Sequence, residues 1–195
     1  MSQALVLCAG ASTRMGEPKA LCRLGDMTIL ERILRTLTVA SIVAPRIIVA
    51  APHGEAILAW LREQHIDGPQ IVWNPHPEDG MLSSIQCGLA TLPQHASGTL
   101  LWPVDIPLIS ASTLTALLDR DPERLVLPTF GGRGGHPVWL PAARFGDVRE
   151  LPRTSSLRML RERHPALRVA VHDPEVVHDL DTPEALAQAE LRLRR

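Results

Sequence analysis

Two cations stand among small residues near the start of the chain. The stretch LVLCAGASTRMGEPKAL, Leu5 to Leu21, runs from apolar residues into Gly, Ala, Ser and Thr, then carries Arg14 and Lys19. A strand that opens into such a loop can present backbone N–H groups to an anion. Arginine adds a planar fork for phosphate oxygens, and lysine a mobile point charge. Together these suit a triphosphate. Two familiar phosphate loops do not fit. Gly10 is followed by Ala11 and Ser12, so the dinucleotide GxGxxG is absent; Gly16 is followed by Glu17, and Lys19 by Ala20, so GxxxxGK[ST] is absent too. The stretch is therefore a different phosphate loop, or a solvated turn whose cations face water.

Other residues that could do chemistry lie far along the chain. Asp105, in WPVDIPL, follows an apolar run. Ligands of open α/β sheets bind outside the carboxyl ends of strands, and a carboxylate there can hold Mg²⁺, which favours oxygen ligands. On spacing alone, an Asp capping the next turn explains Asp105 as well. Asp181, in HDLDTPEAL, stands where a helix would start, with Asp179 two residues before it. His178–Asp179 could suggest a metal phosphohydrolase, but no other His–Asp spacing supports that. Gly80 to Ser84 opens a helix whose first amides, with the Ser83 and Ser84 hydroxyls, could meet a base or phosphate; ordinary capping is the plainer reading. Gly134, Gly135, His136 and Pro137 permit close backbone approach to a ligand, with Pro137 biasing His136 to an extended conformation. Arg153, Arg158, Arg161 and Arg163 read as an anion-attracting face or simply a solvated one.

The elements that must position these residues alternate. Strands are predicted at Ala4 to Cys8, Arg46 to Ala51, Gln70 to Trp73, Thr99 to Val104 and Leu125 to Leu127. Helices are predicted between them: Met27 to Ala40 with a Thr28–Glu31 capping box, Gly54 to His65, Gly80 to Leu92, and one from about Ser112. This order indicates a mostly parallel sheet with helices on both faces. The pattern then changes. TFGGRGGHPVWL, Thr129 to Leu140, reads as a Gly-rich turn feeding a strand; Arg153 to His164 as a basic helix; Leu167 to His172 as a strand. Thr182 and Pro183 start a last helix. With no internal repeat and no linker composition, residues 1–195 read as a single domain.

Composition narrows the function classes. The 195-residue chain can bury a sizeable core. Its formal net charge of −1 argues against a protein that coats nucleic acid, and 3% aromatic residues with no Tyr argue against a base-stacking platform. Cys8, Cys22 and Cys87 form no CxxC pair, so a disulfide framework or zinc site is not expected and a reducing cytoplasm fits. No apolar run approaches membrane-spanning length, and the first residues do not read as a signal peptide.

The opening stretch resembles the signature of the MobA-like nucleotidyltransferases, a strand followed by L-A-[AG]-G-x-S-x-R-M-G-x-x-K. Further matches follow in the family's order: NPHPEDGMLSSIQCGL (Asn74 to Leu89), PVDIPLI (Pro103 to Ile109), GGRGGHPVWL (Gly131 to Leu140) and DLDTPEAL (Asp179 to Leu186). The resemblance covers nearly the whole chain. Ala9 stands where the molybdenum cofactor cytidylyltransferase branch has L-A-A-G and the guanylyltransferase branch tends to L-A-G-G. Cys8 replaces the usual Ala, and Pro103–Val104 stand before Asp105 where the cofactor enzymes more often have G-D-M-P, which leaves the acceptor open.

The resemblance implies a Rossmann-like three-layer αβα fold, mostly parallel, with a small β-hairpin extension. It implies transfer of a nucleoside monophosphate, CMP from CTP in the favoured case, to a phosphorylated acceptor such as molybdenum-bearing molybdopterin. Arg14, Lys19 and Asp105 become the catalytic set. Leu7, Ala9, Gly10, Arg14, Lys19, Asn74, Gly80, Ser83 and Ser84 become nucleotide contacts, and Gly135, His136 and Pro137 acceptor contacts. Asp105 and Asp181 become ligands of Mg²⁺, with Mn²⁺ the alternative. Partners would be the NTP, the acceptor and a molybdoenzyme to which product is delivered, with no nucleic acid and no membrane. Two rivals stand beside this reading: a sugar- or alcohol-phosphate nucleotidyltransferase using another NTP, and a non-catalytic nucleotide- or cofactor-binding chaperone.

Overall fold

The computed structural model describes residues 1–10, 17–120 and 123–193. Arg14 lies outside them, as does Gly16. The first strand, β1 (Ser2–Leu7), is buried along almost its whole length, as an interior parallel strand must be. Ala4 and Val6 face one core while Leu5 and Leu7 face the other, following the two-residue alternation of strand side chains. A two-stranded hairpin follows, β2 (Arg23–Leu24) against β3 (Met27–Thr28). The helix expected from Met27 therefore starts two residues later, as α1 (Ile29–Val39), and the expected cap is present: Thr28 Oγ1 accepts from Glu31 N at 3.1 Å.

Strand and helix then alternate. The next pairs are β4 (Arg46–Val49) with α2 (His53–Glu63), β5 (Gln70–Trp73) with α3 (Met81–Ala90), and β6 (Gly98–Pro103) with α4 (Ala111–Leu118). Beyond them come β7 (Val126–Phe130), β8 (Arg133–Gly134) and β9 (Val138–Pro141). A helix that no sequence signal singled out, α5 (Phe145–Glu150), precedes the expected basic helix, which is shorter than expected: α6 (Leu157–Arg163). The chain ends on β10 (Leu167–Ala170) and α7 (Pro183–Leu193), the latter begun by Thr182 Oγ1 accepting from Ala185 N at 3.2 Å.

The main sheet has the order β10-β7-β9-β6-β1-β4-β5, with β8 beside β7. Pairings among β5, β4, β1 and β6 are parallel, as is β7 with β10. The β7–β8 turn carries Gly131 and Gly132 at φ +56° and +78°, conformations that glycine adopts without steric cost, and makes the small hairpin. β9 then enters the sheet itself, antiparallel between β6 and β7. Helices α1, α2, α4 and α7 cover one face through Leu30, Ile33, Ile57, Leu114 and Ala189. Helices α3, α5 and α6 cover the other through Leu82, Ile85, Val148 and Leu160. This is the expected three-layer α/β architecture.

The register decides which loops meet. Leu7 lies opposite Ile48 on one side and Pro103 on the other. Cys8 N donates to Ile48 O at 2.8 Å, and Val104 N to Leu7 O at 3.2 Å. The carboxyl ends of β1 and β6 therefore open side by side, at the point where successive crossovers run to opposite sides of β1, which is where open α/β sheets take ligands.

Candidate functional site

At that opening the sequence-distant charges converge. Lys19 begins a short 3₁₀ turn after the first loop and is buried. Its Nζ meets Asp181 Oδ1 at 2.7 Å, with the lysine side chain 10% exposed and the aspartate 48%. Asp105 follows β6 by two residues. Its backbone carbonyl accepts from Leu180 N at 2.7 Å, and this bond fixes the segment 179–181 against the end of β6. The turn after Asp105 is locked from below, because the fully buried Trp102 donates its indole N–H to Ile106 O at 2.8 Å.

Asp105 is electrostatically strained. Burial pushes its carboxyl above the ordinary aspartate range; the Lys19 ammonium opposes that shift, while the charges of Asp181 and Asp179 add to it. Its Oδ1 is buried and has no hydrogen-bond partner among the described residues. A buried orphan acceptor of this kind is rare in a fold that has nothing to bind there. Cys8 lies close enough that the Asp105 charge raises its thiol further, although burial is the larger cause. A thiol held protonated this way is packing, not a nucleophile.

The other sequence-selected residues divide by what they touch. Leu7 is buried, Ala9 half-buried and Gly10 exposed, with no atom of the described residues within 4 Å of the place a Gly10 side chain would fill. Asn74, Ser83 and Ser84 are buried and largely occupied with one another. The Asn74 amide donates to Ser83 Oγ at 2.8 Å and Ser84 Oγ at 2.9 Å, while its carbonyl accepts from His76 N at 2.9 Å. Ser83 Oγ reaches the carbonyls of His76 and Gly80 at 2.9 and 2.8 Å. These side chains clamp the 74–80 loop from inside, while the exposed His76 and Glu78 side chains of the same loop meet one another at 3.2 Å. Gly80 turns it into α3 at φ +92°.

Gly135 is fixed by packing: a Cβ there would fall 2.0 Å from the Val176 carbonyl oxygen. His136 N donates to that same oxygen at 2.9 Å. The His136 ring donates to the Leu101 carbonyl, and burial nonetheless holds its pKa below the ordinary value, with the Arg161 charge adding to the depression. Nδ1 is buried without a partner among the described residues. Pro137 is buried behind it, at the head of β9. Of the basic side chains, Arg158 is exposed and paired with Glu162 at 3.1 Å, whereas Arg161 acts electrostatically on His136 and Arg153 on Cys87.

A divalent cation fits this corner by donor chemistry. Asp105 offers an unpartnered buried oxygen, and Asp181 a half-exposed carboxylate. Among the described residues no three His, Cys, Asp or Glu side chains gather into a complete metal cage. Two carboxylates with the remaining positions left to water and phosphate is the way Mg²⁺ is commonly held. Sequence reasoning missed the Leu180 N–H that joins the two acidic segments, and no side-chain type could have signalled it.

The model of the MobA-like NTP transferase domain matches residues 4–169. The chain belongs to that family. Lys19, Asp105 and His136 lie inside the matched span and Asp181 beyond it. A probable molybdenum cofactor guanylyltransferase of Bacillus cereus is 32% identical over 66% of this chain, but the match spans 62% of that protein's own length. The molybdenum cofactor cytidylyltransferase of Escherichia coli is 22% identical over 96% of this chain and 95% of its own length. Among solved structures, Rv0371c of Mycobacterium tuberculosis in complex with manganese superposes with a TM-score of 0.80 at 25% identity, covering 97% of this chain and 98% of that one.

Proposed function

We propose that this MobA-like chain is a nucleotidyltransferase that moves a nucleoside monophosphate from an NTP to a phosphorylated acceptor and releases pyrophosphate. The favoured donor is CTP, and the favoured acceptor is molybdenum-bearing molybdopterin. The convergence of Lys19, Asp105 and Asp181 beyond the ends of β1 and β6 carries this reading.

The chemistry is mostly a matter of bringing two anions together. An acceptor phosphate oxygen attacks the α-phosphorus in line, a new P–O–P linkage forms, and the bond to the β-phosphate oxygen breaks. A phosphate monoester is largely ionised at neutral pH, so the attack needs no general base. Lys19 binds the α-phosphate region, and Arg14 the β,γ-phosphates that leave. Mg²⁺ or Mn²⁺, held by Asp105 and Asp181, would offset the repulsion between the reactants. The Asn74–Ser83–Ser84 clamp holds the 74–80 loop so that its backbone and Gly80 face the base. Leu7, Ala9 and Gly10 line the approach to the phosphates. Gly135, His136 and Pro137 form the acceptor side, where a neutral His136 positions rather than transfers a proton. Among the described residues no helix is long and apolar enough to cross a membrane, and a cytoplasmic enzyme handing its product to a molybdoenzyme fits that.

The test is pyrophosphate release from a panel of four NTPs with Mg²⁺ or Mn²⁺ and candidate acceptors, beside the Asp105→Ala variant. CTP turnover that Asp105→Ala abolishes in a folded protein supports the reading. Turnover with another NTP and a sugar phosphate would move the chain to a different branch of substrates. Tight nucleotide binding without turnover would make it a binding protein.

A further inference from the structure

The ion pair between Lys19 and Asp181 has a consequence for the order in which ligands enter. Lys19 is nearly buried, so its ammonium must have an anion beside it. Asp181 supplies one oxygen at 2.7 Å. That same carboxylate is one of the two that the cation reading assigns to the metal. A divalent cation on the same carboxylate would face the Lys19 ammonium already seated on Oδ1, and the two positive charges would compete for it. The other carboxylate, Asp105, feels the Lys19 charge, but its Oδ1 takes no hydrogen bond among the described residues, so the ion pair the structure shows is the one with Asp181.

We propose that Lys19 is a latch on the cation site: it holds Asp181 until a triphosphate offers it another anion, so that the divalent cation binds as part of the nucleotide complex and only weakly alone. This rests on the nucleotidyltransferase reading and adds to it a positioning role for Lys19 distinct from phosphate binding. The triphosphate would draw the ammonium off Asp181 Oδ1, and the freed Asp181 carboxylate would then be available, with Asp105, to hold the cation. No covalent bond of the chain is made or broken. Because binding free energies are coupled reciprocally, the nucleotide must tighten the cation by the same factor as the cation tightens the nucleotide.

The experiment titrates the intact chain with Mn²⁺ and reads the free ion by its EPR signal, first with Mn²⁺ alone and then with α,β-methylene CTP present. In the wild type, Mn²⁺ alone binds weakly. Lys19→Met and Lys19→Gln, a pair chosen so that one folded variant suffices, bind Mn²⁺ alone about ten-fold tighter, within the usual size of site-to-site coupling. Lys19→Arg, which keeps the cation, stays at the wild-type affinity. Adding Asp181→Asn to Lys19→Met removes the gain. The latch is overturned if the neutral variants bind Mn²⁺ alone no better than wild type, or if the gain survives Asp181→Asn. Failure of Mn²⁺ to bind any form even with the nucleotide would overturn the metal reading itself, and the latch with it.

Discussion

Asp105 stores free energy at a single carboxylate. Its pKa is raised chiefly by burial, so the folded chain holds a proton on it more tightly than the unfolded chain does. Below the ordinary aspartate range both states are protonated and the group is neutral to stability. As pH rises through the window from that range to the raised folded value, the unfolded state ionises first and stability falls; above the window the loss is constant. Asp105→Asn should therefore abolish turnover yet melt higher than wild type at pH 8, the gap closing as pH is lowered into the carboxylate range. A thermal shift series against pH checks this, and equal melting temperatures throughout would mean that the carboxylate is solvated. His136 has the opposite sign. Burial lowers its pKa, so wild type loses stability as pH falls through the ordinary histidine value, and His136→Asn should flatten the melting curve between about pH 7 and 5.

At the scale of elements, two loops are held by contacts that composition alone does not report. The 74–80 loop depends on Asn74, whose amide and carbonyl join it to the start of α3. Asn74→Ala leaves buried hydroxyl and amide groups without partners, at a cost of about 1–3 kcal/mol. On the proposed reading it raises KM for the NTP several-fold more than it lowers kcat, as initial-rate kinetics would show. The Gly134–Pro137 segment is held against Val176, and Gly135→Ala drives a methyl group into a backbone oxygen that cannot swing aside. The expected loss is roughly 1–3 kcal/mol or more, or about 2–4 °C in Tm per kcal/mol for a chain of this size. An unchanged Tm would show that the segment is free to shift.

For the whole molecule, one sheet runs from β10 to β5 and two cores lie on its faces. We propose that the chain folds as a single domain. Tryptophan fluorescence, which reports four tryptophans with Trp102 fully buried among them, and far-UV circular dichroism should then give coincident denaturant midpoints; two separated transitions would divide the chain. The proposed catalytic corner draws on this unity, since Lys19 and Asp181 are 162 residues apart in sequence yet share one ion pair.

Much of this was legible in the amino-acid order. Buried β1, the Thr28 cap, the alternation through α4 and the Thr182–Pro183 helix start follow from local rules of apolar period, capping and proline geometry. The lysine stood out as a cation in a small-residue loop past a strand, whereas the two aspartates fit turn and helix caps equally well and were singled out by the family resemblance. Other features were decided by tertiary structure. Met27–Thr28 pairs with β2 because a partner strand was at hand, and β9 enters the sheet between β6 and β7 because the backbone there has two neighbours to bond. Asn74, Ser83 and Ser84 turn inward because buried polar groups satisfy one another first. Side-chain types announce what chemistry a chain can do. Which oxygen each cation meets is settled by long-range backbone bonds such as Leu180 N–H to Asp105 C=O, which every residue but proline can make and which no residue type therefore betrays.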